Sequence, residues 1–202
     1  MSGRILYGLD RLPRTLATDD PRLLGVPDSG GLLRLNTEPL PLAVLSGMPP
    51  DHAGRVAAAR AWFATLCGDY ARKRERFVTA CFDWAEAAIA AAHDEIAASL
   101  ARYEGLFAPE DFFWSAPRPL PRAWLPGPQG HGFADIAFRT ETGLVAVLLD
   151  DAPAPPGIRA VRLDASAPEA FLAASFGGFW RTERLPRGAF RRGFSPLPPA
   201  GP

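Results

Sequence analysis

Gly132-Phe-Ala-Asp135-Ile-Ala-Phe-Arg139 runs through Thr140-Glu-Thr-Gly143 into Leu144-Val-Ala-Val-Leu-Leu149. The first segment alternates, the second is continuously apolar, and the link is short and ends in glycine, so the two predict an antiparallel hairpin. With Glu141-Thr142 as a two-residue turn, Thr140 faces Gly143, and counting outward sets Asp135 opposite Leu148. Side chains alternate between faces, so Asp135, Leu148 and Asp150 share one face. A slip of one residue would put Asp135 opposite Leu149 or Val147.

Working outward, Asp151-Ala-Pro-Ala-Pro-Pro-Gly157 is a turn, and Ile158–Leu163 alternates as a third strand. Ser166 can cap a short helix from Ala167 to Ser175, ended by Gly177 and Gly178. Upstream, residues 105–131 place Phe112, Phe113, Trp114 and Trp124 among Pro117, Pro119, Pro121, Pro126 and Pro128. That pattern predicts an irregular, polyproline-like strap with aromatic anchors. Before it, Val78, Phe82, Ala85, Ile89, Ala92, Ile96, Leu100 and Tyr103 recur every three or four residues. They form one apolar stripe of a helix spanning 69–103. Arg72, Glu75, Arg76, Asp83, Glu86, Asp94 and Glu95 fall on the other side. Unbroken, such a helix would be about 50 Å long; that length predicts a kink, a projection or a partner. Asp51 is a suitable cap for a preceding helix that Gly68 ends or weakens.

Residues 1–50 hold short apolar runs broken by Pro13, Pro21, Pro27, Pro39, Pro41, Pro49 and Pro50. Short strands are expected at Arg4–Tyr7, Gly31–Leu35 and Leu42–Leu45, in an arm lying on the core. The resulting expectation is an α+β chain. A long Ala-rich amphipathic helix packs on a small, mostly antiparallel sheet, with irregular Pro-rich arms. Residues 1–50 are an arm with short strands, 51–178 the core, and 179–202 an Arg/aromatic/Pro-rich tail.

The bulk numbers agree with a globular chain. Basic and acidic residues balance at 22 each over 202 residues, and 48% are hydrophobic. This argues against a disordered polyelectrolyte and against strong non-specific binding of nucleic acid. Pro 22 and Gly 19 are above ordinary usage, which is what predicts the irregular segments. No run is long enough to span a membrane, and Met1–Asp10 lacks the apolar core of a secretory signal. Cys67 and Cys81 cannot bridge on one helix, where they would lie about 21 Å apart. Two small buried thiols in a reducing cytoplasm are the expectation.

The order helix, loop, hairpin, strand, helix resembles part of the PD-(D/E)XK restriction-endonuclease-like fold. The resemblance implies an Asp on the first hairpin strand, here Asp135, and an acidic residue and a Lys two apart on the second, together holding a divalent metal that activates water. The register puts Leu148 and Asp150 at those last two positions, so the motif is degenerate. The chain's single lysine, Lys73, stands on the helix some sixty residues earlier.

No other constellation is complete. His52, His93 and His131 are isolated, and no nucleophile elbow or phosphate-binding loop is present. Asp135, Asp150, Asp151, Glu86 and His93 remain as residues a fold could gather into a site. Arg72-Lys73-Arg74-Glu75-Arg76 is the densest basic run, which could meet phosphates but is expected as a solvated helical face with local carboxylate partners. The tail carries Arg181, Arg184, Arg187, Arg191 and Arg192 against Glu183, interleaved with Phe179, Trp180, Phe190 and Phe194. Arginine and aromatics together suit a protein groove or stacked bases. Phe179, Trp180, Arg181, Arg184, Arg191, Arg192 and Phe194 are therefore the expected partner-binding residues. No catalytic residue, metal or cofactor is assigned. The expected function is a non-enzymatic accessory or protein-interaction subunit docking through the long helix and tail. The alternative is a degenerate nuclease-like protein acting on nucleic acid.

Overall fold

In the computed structural model the described residues are 4–12, 23–25, 49, 51–68, 72–103, 105–140, 143–164, 168–181 and 186. The first strand, β1 (Arg4–Leu6), is followed by β2 (Leu23–Gly25), then by helices α1 (His52–Leu66), α2 (Arg72–Ala91) and α3 (His93–Leu100). Strands β3 (Leu120–Gly127), β4 (Gly130–Thr140), β5 (Gly143–Leu148) and β6 (Arg159–Arg162) come next, and helix α4 (Glu169–Phe176) follows. All six strands belong to one sheet in the order β2-β1-β3-β4-β5-β6. Every pairing is antiparallel except β5 with β6. The chain is thus α+β with a mostly antiparallel sheet, as its periodicity predicts.

The hairpin has the expected register. Thr140 pairs with Gly143 and Ile136 with Val147, which carried one step further sets Asp135 across from Leu148. The apolar run of β5 and the middle of β4 are buried, which pins that register, since a one-residue slip would exchange the faces.

The expected strap at 105–131 is corrected. Pro109–Ser115 forms a 3-10 turn, and Leu120–Gly127 is an interior strand paired with β4 along its length. The Pro-rich sequence argued against a strand because proline cannot donate to a ladder. Here the neighbour on the other side, β1, is only three residues long and meets β3 at one register pair, Leu6 with Trp124. β3 is therefore asked for few donors on that side. Pro121 contributes an acceptor instead, taking the Gly8 N–H at 2.7 Å. Phe112, Phe113 and Trp114 are buried as anchors.

β6 lies parallel to β5 although only a short segment joins them. That segment passes over the β3–β4 turn. A Cβ on Gly132 would come within 2.6 Å of Pro155 Cβ, and one on Gly127 within 2.8 Å of the Pro156 carbonyl oxygen. Glycine at both places lets the crossover lie against the sheet.

The long helical stripe is divided. Ala92, at φ −103° and ψ 12°, separates α2 from α3. Its N–H is shared between the Ala88 and Ile89 carbonyls at 3.2 and 3.1 Å. The apolar stripe still faces inward, with Val78, Phe82, Ala85, Ile89, Ile96 and Leu100 buried. Phe82 bridges Phe63 of α1 and Phe113, both at 5.6 Å between ring centres, and Phe77 reaches Phe138 of β4. Asp51 caps α1, accepting the Gly54 N–H at 2.7 Å. Helix α4 begins at Glu169 rather than Ala167, and its expected cap Ser166 lies outside the described residues. The expected strand Arg4–Tyr7 corresponds to β1, whereas those at Gly31–Leu35 and Leu42–Leu45 lie outside the described residues.

A buried arginine ties the layers together. Arg122 adopts φ 47°, a conformation costly for a residue with a Cβ. Its guanidinium donates to Leu66 O at the end of α1 and to Gly8 O after β1, both at 2.7 Å, and pairs with Asp10 at 2.7 Å. The last carbonyls of a helix lack helical partners, so Leu66 O needs such a donor. Gly68, at φ +81°, clears the way, since a Cβ there would sit 2.7 Å from an Arg122 nitrogen.

Arg122→Met should therefore lose about 3 kcal/mol of unfolding free energy by chemical denaturation, because two buried carbonyls lose charged donors. Asp10 is held below the ordinary 3.8, chiefly by its hydrogen bond from Arg122. A carboxylate with a depressed folded pKa stabilises fully above its unfolded value and loses that contribution as pH falls through the folded one. Denaturation midpoints should thus fall as pH drops below about 4, and Asp10→Asn should flatten that part of the profile.

Candidate functional site

Two consecutive side chains at the start of α2 meet the end of the β4–β5 hairpin. Arg74 donates from Nε to Asp135 Oδ1 at 3.0 Å, and its second nitrogen lies 2.9 Å from the same oxygen. Oδ2 of Asp135 accepts the Leu149 N–H at 3.0 Å. Lys73 reaches the carbonyl of the same residue, with Nζ on Leu149 O at 3.3 Å and on the Asp150 carboxylate. Arg162 of β6 closes the turn, donating to Asp150 O at 3.0 Å and Ala152 O at 2.9 Å.

Asp135 is buried, and burial of an ionised carboxylate is tolerated only with charged and hydrogen-bonded partners. It has both, one on each oxygen. The arrangement grips the last residue after β5 and fastens it to α2. Lys73, largely exposed, is held above its ordinary 10.5 by the hydrogen bond to Asp150. It is a cation at neutral pH and so carries no free pair for base or nucleophile chemistry.

The lysine absent from the hairpin sequence is thus supplied from the helix, while the carboxylate it meets, Asp150, lies outside the strand. In the basic run at 72–76, Arg72, Lys73, Glu75 and Arg76 are exposed, Lys73 with a carboxylate partner in Asp150, whereas Arg74 is turned inward onto the buried Asp135. Arg74 and Arg122 were not singled out in advance. The only signal for Arg74 was its place in that run, and Arg122 had none.

The other acidic candidates are dispersed. Glu86 pairs with Arg60 of α1, which also holds Asp83 at 2.7 Å. His93 lies 3.2 Å from Asp94, and Asp151 lies 3.9 Å from Arg162. Among the described residues no three His, Cys, Asp or Glu side chains gather as ligands would for a metal ion. Cys67 and Cys81 are buried free thiols, as expected. Burial pushes Cys67 up to about 12 and Cys81 well above its ordinary value, so neither is a thiolate at neutral pH.

Of the expected partner-binding residues, Phe179, Trp180 and Arg181 are described. Phe179 is buried against Trp84 of α2, with ring centres 5.8 Å apart. Arg181 makes a two-pronged contact with Glu95 of α3, at 2.6 and 2.9 Å, and Trp180 Nε1 donates to the same carboxylate at 3.4 Å. Glu95 is accordingly held below its ordinary value, first by the Arg181 hydrogen bond. Arg184, Arg191, Arg192 and Phe194 lie outside the described residues.

Compared with known proteins, the chain matches no family model, no curated protein and no solved structure. No helix among the described residues is long and apolar enough to cross a membrane.

Asp135→Ala should cost about 3–5 kcal/mol, since it leaves the Arg74 charge and the Leu149 N–H without their partner. Asp135→Asn keeps an acceptor and should cost clearly less. Equal losses in urea denaturation would show that the carboxylate charge is not what fastens the hairpin to α2.

Proposed function

We propose that the chain is a non-enzymatic docking subunit of the cytoplasm, presenting its helices and C-terminal tail to a protein partner. The observation that carries this reading is the Phe179–Arg181 turn, seated on Trp84 of α2 and Glu95 of α3. The three residues at which the tail begins are thus fastened to the helical layer. Support also comes from the charged groups that chemistry would require. Asp135, Lys73 and Glu86 are each committed to an internal partner. Beyond the latch, residues 182–202 carry Arg184, Arg187, Arg191 and Arg192 against Glu183, with Phe190 and Phe194 between them. A partner of matching chemistry offers an acidic rim around an apolar pocket, the setting in which arginine and aromatics act as anchors.

Co-purification from native extract followed by light scattering tests this. The full chain should retain a partner at low salt, and deletion of residues 182–202 should remove it while leaving the thermal transition unchanged. Retention of the same partner by the truncated chain would overturn the role given to the tail.

A second reading follows the resemblance to restriction-like nucleases, in a degenerate form that binds nucleic acid. Its support is the meeting of Asp135, Lys73 and Asp150 at the hairpin end. Incubation with DNA and RNA, with and without Mg²⁺, separates the two. The docking reading expects neither a salt-dependent shift nor cleavage, and cleavage abolished by Asp135→Asn would replace it with the nuclease reading.

A further inference from the structure

The break at Ala92 falls between two anchors of one short turn. Phe179 packs on Trp84, about two turns before the break in α2. Arg181 and Trp180 hold Glu95, in the first turn of α3 beyond it. The turn is tight: Arg181 N–H donates to Gly178 O at 2.8 Å, and Gly178 takes φ +73°, which glycine adopts without strain. Residues 179–181 thus span the joint between the two helices. α3 has little else to fix its start. Its cap, Ala92, offers no side-chain acceptor to the first-turn amides. Its eight residues bury Ile96 and Leu100, whereas α2 buries six side chains. A short, uncapped helix with few buried contacts belongs to the part of a fold that opens first.

We infer that the Phe179–Arg181 turn is a releasable clasp on a hinged α3. While Arg181 holds Glu95, the helix is closed on the core. When Arg181 leaves, α3 opens about Ala92 as one unit and frees the apolar side chains of Ile96 and Leu100. The two ends of the clasp differ in kind. Phe179 is buried and fixes the turn on α2. Arg181 and Glu95 are both exposed, so their attraction is screened by salt and open to competition. Arg181 presents its planar fork to both carboxylate oxygens, and a competing group has to offer the same geometry. An Asp or Glu side chain of a docking partner does so. Only this trigger rests on the docking function proposed above; clasp and hinge belong to the isolated chain.

Hydrogen–deuterium exchange of the isolated full chain, read by mass spectrometry, tests the clasp. Arg181→Gln should speed exchange of the amides of residues 96–103 about threefold, the factor in open population that an exposed pair of this kind controls. Residues 72–91 and the β4–β5 hairpin should keep their rates. Glu95→Gln should speed residues 96–103 at least as much, since it also takes a negative charge from the first turn of α3. Once Glu95 is replaced, Arg181→Gln should add nothing, because the interaction it removes is already gone. At about 0.5 M salt the unmodified chain should exchange like Arg181→Gln at low salt. Unchanged exchange of residues 96–103 in Arg181→Gln would overturn the clasp, and so would an equal effect of that change with and without Glu95. Acceleration spread through residues 72–91 would overturn the hinge at Ala92. A coupled pair in a chain that retains no partner sinks the docking function alone; a retained partner with Arg181 and Glu95 uncoupled sinks the clasp alone.

Discussion

The contact of Arg74 and Asp135 across the helix–sheet boundary is the constraint on which the arrangement of the hairpin depends. An ionised carboxylate inside a protein needs its charge answered and its lone pairs occupied. Asp135 meets both needs by drawing in a guanidinium from the first turn of α2 and an amide from the residue just past β5. Lys73 then takes the carbonyl of that same residue. Leu149 is held by charged groups at both its N–H and its carbonyl, and β5 cannot slide against α2 without breaking those bonds. Replacement of the whole set by apolar residues could be equally stable, so the gain lies in register as much as in free energy.

Arg122 plays a corresponding part close by, its guanidinium on Leu66 O where Arg74 reaches the adjacent Cys67 O. It accepts a backbone conformation that few side chains adopt and in return reaches three acceptors on two segments, the end of α1 and the stretch after β1. Together the two arginines join β1, α1, α2 and the hairpin. The preference for arginine over lysine has a physical use at these points. A planar fork can serve several acceptors with one rigid group, which an ammonium on a flexible stem does less well.

These commitments bear on function. The acidic and basic groups most suggestive of chemistry are bonded within the fold, while Asp83, Glu86, Asp94 and Glu95 are exposed along α2 and α3. The acidic side chain of the hairpin, Asp135, is turned to internal bonding.

The sequence by itself determined what depends on neighbours a few residues apart. The hairpin register followed from alternation and a short turn. The α1 cap followed from an aspartate three residues before an amide, and the inward stripe of α2 and α3 from recurrence every three or four positions. The tertiary structure alone decided that a Pro-rich segment is an interior strand, because that depends on how short its neighbour β1 is. It also decided the partners of Lys73 and Arg74, which come from 77 and 61 residues away. A basic run has the same local pattern whether its charges meet water or carboxylates at the sheet, buried Asp135 and exposed Asp150 alike. Only the packing of α2 on the sheet brings those carboxylates within reach.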